Sequence, residues 1–242
     1  MAEAALWGAV GASSLLVGAV IGLAVPIPQR VIGLVLGFGA GTLISALTFE
    51  LTEEAFRLGG ADAVAIGLAA GALAYFVGDW LIERRGAENR MSSMGEQAGG
   101  SASALLLGAV LDGIPESAVI GITLLEGSTV GVAVLAAVVL SNLPESLSAS
   151  TGMKKTGRSA GHVLGVWSVV VVVSAVAAAL GYGLLDGASP NTIGLLQAFA
   201  GGAVLTMLVD TMIPEAYKRG GNPVGLVTVL GFALAYLLST LE

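Results

Sequence analysis

The sequence predicts an all-α polytopic membrane protein: a single transmembrane domain over residues 1–242, with eight transmembrane helices, an inverted internal repeat and both termini outside. Three observations predict it. Of the 242 residues, 55% are hydrophobic and only 11% charged, whereas a soluble domain of this length carries roughly a quarter charged residues. Apolar windows of about 20 residues, long enough to cross a bilayer, recur along the whole chain. Lys and Arg then fall in alternate breaks between those windows, nine on one side against one on the other. The mean hydropathy of +0.91 agrees. No polar tract is long enough for a second domain, and the absence of cysteine excludes disulfides and thiolate chemistry.

The windows, in order, are residues 4–25, 31–51, 63–82, 102–124, 129–151, 160–185, 192–217 and 224–241. The first has no basic segment before it, so it is expected to remain as a span rather than be cleaved as a signal peptide. The breaks are marked by glycine, proline and charge. The longest, residues 83–100, reads "ERRGAENRMSSMGEQAGG". Because basic residues flanking spans are biased towards the cytoplasm, Arg30, then Arg84, Arg85 and Arg90, then Lys154, Lys155 and Arg158, then Lys218 and Arg219 mark the inner side. Arg57 alone marks the outer side. The acidic Glu3, Glu53, Glu54, Asp62, Glu126, Asp186 and Glu242 then give the outer face a negative potential that draws cations.

A shift of 161 positions aligns residues 33–60 with residues 194–221 without a gap, with nine of 28 positions identical. Phe38 meets Phe199, Gly41 meets Gly202, Glu54 meets Glu215, and each segment closes on Gly-Gly. In the expected topology the two copies run in opposite directions, an arrangement found in many secondary transporters, where the substrate site lies near the midplane between the repeats. Gly33, Gly37 and Gly41, matched by Gly194, Ala198 and Gly202, form small-residue stripes suited to close helix packing.

Between the copies, residues 111–117 read "LDGIPES" and residues 140–146 read "LSNLPES". Asp112 and Glu116 are one helical turn apart and share a face, as do Ser141 or Asn142 and Glu145. Pro115 and Pro144 cannot donate to the carbonyls of Leu111 and Leu140, so each helix is expected to kink and free a carbonyl near its carboxylate. An ionised carboxylate at the middle of a span costs about 3 kcal/mol on insertion scales. No Lys or Arg falls inside any window, so water, protons or a metal are expected to supply the compensating cation. The bland alternative is a pair of protonated carboxylates hydrogen-bonded across a packed core. Oxygen-only ligands favour hard or borderline divalent ions such as Mg, Ca or Mn.

These residues, over essentially the whole chain, resemble the ZIP (Zrt- and Irt-like) metal-ion transporters, in a divergent form. The resemblance implies a 3+2+3 inverted-repeat arrangement and a family motif, His-Asn-x-Pro-Glu-Gly on span 4 with a related pattern on span 5, lining a metal site. It puts Asp112 at the motif histidine, Gly113 at its asparagine and Glu116 at its glutamate; Ser141, Asn142 and Glu145 stand at the span 5 ligands. Asp210 and Glu215, within "DTMIPEA", are then placed towards the cytoplasmic exit, with Asp79 as a further exit residue. Both motif histidines are missing. The lone histidine, His162, opens span 6, where Ser174 and Ala175 occupy the positions of a family glutamate and proline.

The function expected from this resemblance is movement of zinc, manganese, iron or a similar divalent ion towards the cytoplasm, past Glu50, Glu53 and Glu54 to the midplane carboxylates. The ion is the transported substrate, zinc or manganese foremost, and no resident cofactor is expected. The resemblance also implies alternating access, a homodimer and a multi-pass location in the plasma membrane, with the bilayer and the metal ions as partners. The alternative is a degenerate relative that binds metal or protons without transport. An intramembrane enzyme is not expected, since no Gly-x-Gly-Asp, His-Glu-x-x-His or Gly-x-Ser-x-Gly occurs in the spans. A net charge of −7 without a basic, aromatic-interleaved patch excludes nucleic acid as a partner.

Overall fold

Long runs of Ala, Leu, Val and Gly favour helix wherever water is scarce, because a helix satisfies every backbone group within its own segment. The computed structural model describes residues 1–125 and 130–241, the side chains of residues 98 and 99 apart. Those residues are helical with no strand among them. The helices are α1 (Ala2–Ala24), α2 (Gln29–Ala46), α3 (Glu53–Ile82), α4 (Ala102–Thr123), α5 (Val132–Lys155), α6 (Ala160–Leu185), α7 (Pro190–Met207), α8 (Ile213–Gly220) and α9 (Pro223–Ser239). Glu126, Thr129 and Glu242, which the sequence assigns to outer loops and to the start of the fifth span, lie outside the described residues.

Among the described residues six helical stretches are long and apolar enough to cross a membrane, and α9 is a shorter apolar helix. One of the six, residues 29–87, is folded back on a local break at Gly60 (φ 71°, ψ −172°). Gly221 does the same between α8 and α9 (φ 68°, ψ −157°). Both need a positive φ that only glycine adopts without strain, and both are the closing glycines of the aligned repeat. The helix starts are fixed by side chains that satisfy free backbone N–H groups. Ser101, Ser159 and Ser189 accept from the amides of Ala104, His162 and Thr192 at 3.1, 3.2 and 3.2 Å.

The repeat extends beyond the turns. A π-helical turn follows α2 at Leu47–Thr52, and another follows α7 at Leu208–Met212. Helix α2 packs on α9 and α7 packs on α3, which is one pairing made twice under the shift of 161 positions. The contacts agree in detail. A Cβ built on Gly33 would lie 2.7 Å from the Ala216 carbonyl, and one on Gly194 would lie 2.7 Å from the Ala55 carbonyl; Ala55 and Ala216 are repeat mates. Helices α1 and α6 pack together and flank α5 and α4 respectively, so the two proline-bearing helices are enclosed by the rest. Large apolar side chains such as Leu6, Val172, Leu184, Leu226 and Val229 stay exposed on the outer helix faces, as expected where the solvent is lipid.

Candidate metal centre

Pro115 and Pro144 lie inside α4 and α5, which continue through them as helices. The carbonyl freed at Leu140 lies against a neighbouring helix. It faces Gly39 of α2, 3.1 Å from where a Cβ would stand, with the Pro144 ring 2.9 Å from the same point.

The expected site residues are buried: Asp112, Glu116, Ser141, Asn142 and Glu145 are each at most 4% exposed. Asp112 is not waiting for a cation. The Arg90 guanidinium binds it side-on, Nε to Oδ2 at 2.8 Å and Nη2 to Oδ1 at 2.9 Å. The same Nη2 lies 2.7 Å from Asp79 Oδ1 and donates to the Tyr75 hydroxyl at 2.9 Å. Tyr75 in turn donates to Asp112. The expectation that the chain supplies no cation of its own is therefore corrected. No span contains the arginine, but the loop after α3 carries it inward, and Arg90 is only 3% exposed. Burial opposes its charge, yet Asp112, Tyr75 and Asp79 together more than offset this, Asp112 foremost, and hold the guanidinium pKa above its ordinary value.

Irregular backbone is tolerated at such depth only where protein satisfies it, and residues 90–97 meet that condition. Ser148 Oγ of α5 donates to the Met91 carbonyl at 2.6 Å, and Gln97 Nε2 donates to the Arg90 carbonyl at 3.2 Å. The Ser93 amide donates to Glu215 Oε1 at 3.0 Å. At the rim, Glu96 accepts from Ser92 Oγ at 2.6 Å, Lys218 Nζ at 2.8 Å and Arg219 Nη2 at 2.8 Å. Hydrogen bonds from Lys218 and Ser92 hold its carboxyl down at about 2. Glu215 is thus a clasp for this segment, with Arg219 Nε 2.8 Å from its Oε1.

Glu116 stands apart. Both its carboxylate oxygens are buried with no hydrogen-bond partner among the described residues. Beside it is a cavity of about 20 Å³ lined by Leu43, Leu47, Val119, Val134 and Val138, room for about one water-sized occupant. Glu145 and Asp112 line a second cavity of about 10 Å³ with Arg90 and Trp167. Asp112, Glu116 and Arg90 are all near enough to act on the charge of Glu145. Ser141 Oγ donates to its own helix, to the Val138 carbonyl at 3.0 Å.

Asp210 lies elsewhere, exposed on the second π-helical turn in a polar cavity of about 160 Å³ shared with Glu88, Arg90, Thr211, Glu215 and Lys218. Arg90 lines both this cavity and the one holding Asp112 and Glu145, and so stands between them. Among the described residues no three His, Asp or Glu side chains converge as a ready metal cage. Ser174 does face the site, its Oγ 3.3 Å from a Cβ built on Gly113. His162 does not; its Nε2 lies 3.3 Å from Arg158 Nη1 at the start of α6. Glu50, Glu53 and Glu54 line a separate open cavity of about 480 Å³ with Arg57.

Chemically, the centre is a set of buried oxygen acids with one cation among them. Asp79 and Asp112 together carry two negative charges, Arg90 one positive, and among the described residues Glu116 and Glu145 form no ion pair with a basic side chain. Such a set can accept protons or a cation, and it offers hard oxygen ligands only. The residues that sequence reasoning missed are Arg90 and Tyr75. The only signal for Arg90 was its distance from the Arg84–Arg85 pair that anchors the span.

No family model matches the chain. The chain is 25% identical over 213 residues, 86% of its length, to an Arabidopsis thaliana protein named "Putative zinc transporter". That alignment covers 34% of the plant protein, so the chain spans about a third of the relative it matches. The likeness supports the resemblance to metal-ion transporters read from the two Pro-Glu motifs.

Proposed function

We propose that this chain is a ZIP-like carrier that moves a divalent metal ion, zinc or manganese foremost and iron or a similar ion next, across the membrane towards the cytoplasm. The observation that carries the reading is Glu116, fully buried on a proline-bearing helix with both carboxylate oxygens unpartnered, and within electrostatic reach of Glu145 on the second such helix. A bare acid at the middle of an apolar helix, with a second buried acid near it, calls for a cation. Asp112, Glu116, Asn142 and Glu145 are its ligands, with Ser141 beside them, and Asp210 lies on its route out. A relative named as a zinc transporter supports the class of cargo.

In this reading the chain crosses the membrane eight times. Residues 29–87 contribute two crossings about Gly60, and α9 contributes the last. The turns at Gly60 and Gly221 are the two ends of an inverted 3+2+3 repeat, with both termini outside. The protein works in the plasma membrane, as a homodimer, and alternates access by moving one helix group against the other.

A second reading, a metal- or proton-binding relative without transport, is favoured by one observation: Asp112 is already held by Arg90. Uptake into proteoliposomes across Zn, Mn, Fe, Co, Cd, Mg and Ca, with Glu116→Ala and Glu145→Ala as controls, separates the two. The carrier reading expects flux of at least one ion, lost in both variants. Metal binding without flux of any ion through folded protein leaves the second reading standing.

A further inference from the structure

Arg90 reaches the centre from a segment that is not part of any helix bundle wall. Residues 90–97 enter between α3, α4, α5 and α8, and Met91, Ser92, Ser93 and Gln97 are each no more than 4% exposed. The guanidinium uses two nitrogens on Asp112, one of them also on Asp79 and Tyr75. Its third nitrogen, Nη1, has no hydrogen-bond partner among the described residues. Most buried polar side-chain atoms have a hydrogen-bond partner, so an unpaired donor here calls for an explanation.

The charge count points the same way. Arg90 brings one positive charge to two acids, whereas a divalent ion brings two and matches Asp79 and Asp112 in full. The guanidinium already takes one bond from each oxygen of Asp112, so a metal ion that ligates Asp112 competes with it for those oxygens and repels its charge. Beyond Arg90 lies the polar cavity of about 160 Å³ with Glu88 and Asp210, space and negative charge to receive the side chain once it leaves Asp112.

We propose that Arg90 is a tethered cation that occupies Asp112 in the metal-free protein, that a divalent ion displaces it, and that the 90–97 segment withdraws with it to open the route past Asp210. The proposal rests on Asp112 being part of the metal site. Its latch is on the rim. Glu96, held by Lys218 and Arg219, and Glu215, held by Ser93 and Arg219, fasten the segment without touching Asp112.

The chain contains no cysteine, so Ser93→Cys places a single thiol on the buried segment. The test is the rate of maleimide labelling of that thiol in full-length protein in nanodiscs. It is measured without metal, with Zn or Mn, and with Arg90→Gln or Glu96→Ala added. Labelling is expected to be slow without metal, and at least about tenfold faster with Zn or Mn and with Arg90→Gln. Glu96→Ala, which leaves Asp112 alone, is expected to fall between, and it decides the matter if Arg90→Gln fails to fold. In proteoliposomes Arg90→Gln is expected to lower the metal concentration for half-maximal uptake. Labelling that is equally slow with and without metal and in both variants overturns the proposal. If the variants label fast but neither Zn nor Mn changes the wild-type rate and no ion is taken up, the plug stands as a structural device, and displacement by metal falls together with the metal-site reading. Flux with Arg90→Gln unchanged in labelling overturns the plug alone.

Discussion

Asp112 and Glu116 are one turn apart on α4, yet one is fully partnered and the other bare. That contrast makes opposite predictions for two isosteric changes. Asp112→Asn removes the main partner of a buried guanidinium, and breaking a buried ion pair from one side costs about 3–5 kcal/mol. A large fall in thermal stability is expected in detergent. Adding Arg90→Gln to it is expected to recover part of the loss, because the buried guanidinium deprived of its main partner is then removed, and only part because Asp79 loses its ion pair in turn. Stability falls that simply add would show that the two side chains do not depend on each other. Glu116→Gln replaces an unpartnered acid by a neutral amide of the same shape, so the metal-free protein is expected to lose little stability. What it loses is the response to metal. An ion at about 100 times its Kd stabilises the folded state by about 2.7 kcal/mol, and thermal unfolding with and without Zn or Mn is expected to show that shift in the wild type and not in Glu116→Gln.

At the scale of elements, helix contact and loop docking each carry a testable consequence. A Cβ on Gly41 would lie 1.9 Å from the Thr228 carbonyl, and one on Gly71 would lie 1.8 Å from that of Phe199. Backbone oxygens cannot step aside like a side-chain tip, so Gly41→Ala and Gly71→Ala are expected to destabilise by about 1–3 kcal/mol through overpacking. Gly165, exposed on α6 with open space around it, is the control: Gly165→Ala is expected to leave the melting temperature unchanged or raise it, since alanine favours helix. Loop docking is read by pH. The Glu96 carboxyl is held down at about 2 by Lys218 and Ser92, below its ordinary value, so its contribution is complete above about pH 4.5 and is lost as pH falls through about 2. Hydrogen exchange over residues 91–97, compared with Glu96→Gln, is expected to show excess wild-type protection at pH 5 that shrinks as the pH approaches 2. Protection that is the same in both proteins at pH 5 would show that Glu96 does not fasten the segment.

For the molecule as a whole, the legible part of the sequence was what depends on local pattern. Most helix limits followed Gly, Pro and charge, although the expected break at residues 52–62 is helical apart from the turn at Gly60; the Gly-Gly pairs at 59–60 and 220–221 that close the aligned repeat stand at two equivalent turns; and burial of Asp112, Glu116 and Glu145 followed from their apolar surroundings. Arg90 was not legible, because a window count treats every charged residue of a loop as solvated, and only tertiary packing brings it back to Asp112. The facing of Glu116 and Asp112 into separate cavities was hidden for the same reason: residues one turn apart share a face, but neighbours decide what each meets. The direction of the repeat also depends on the whole chain, and it has its own test. Ala61 and Asn222 are repeat mates just after the two glycine turns, and both are exposed. If the copies are inverted in the membrane, these positions lie on opposite sides, position 61 outside by the distribution of Lys and Arg. In a chain free of cysteine, Ala61→Cys is expected to react with a membrane-impermeant maleimide on intact cells, and Asn222→Cys only after the cells are opened. Reaction of both from the outside would make the two copies parallel, and a midplane site between opposed halves would lose its structural basis.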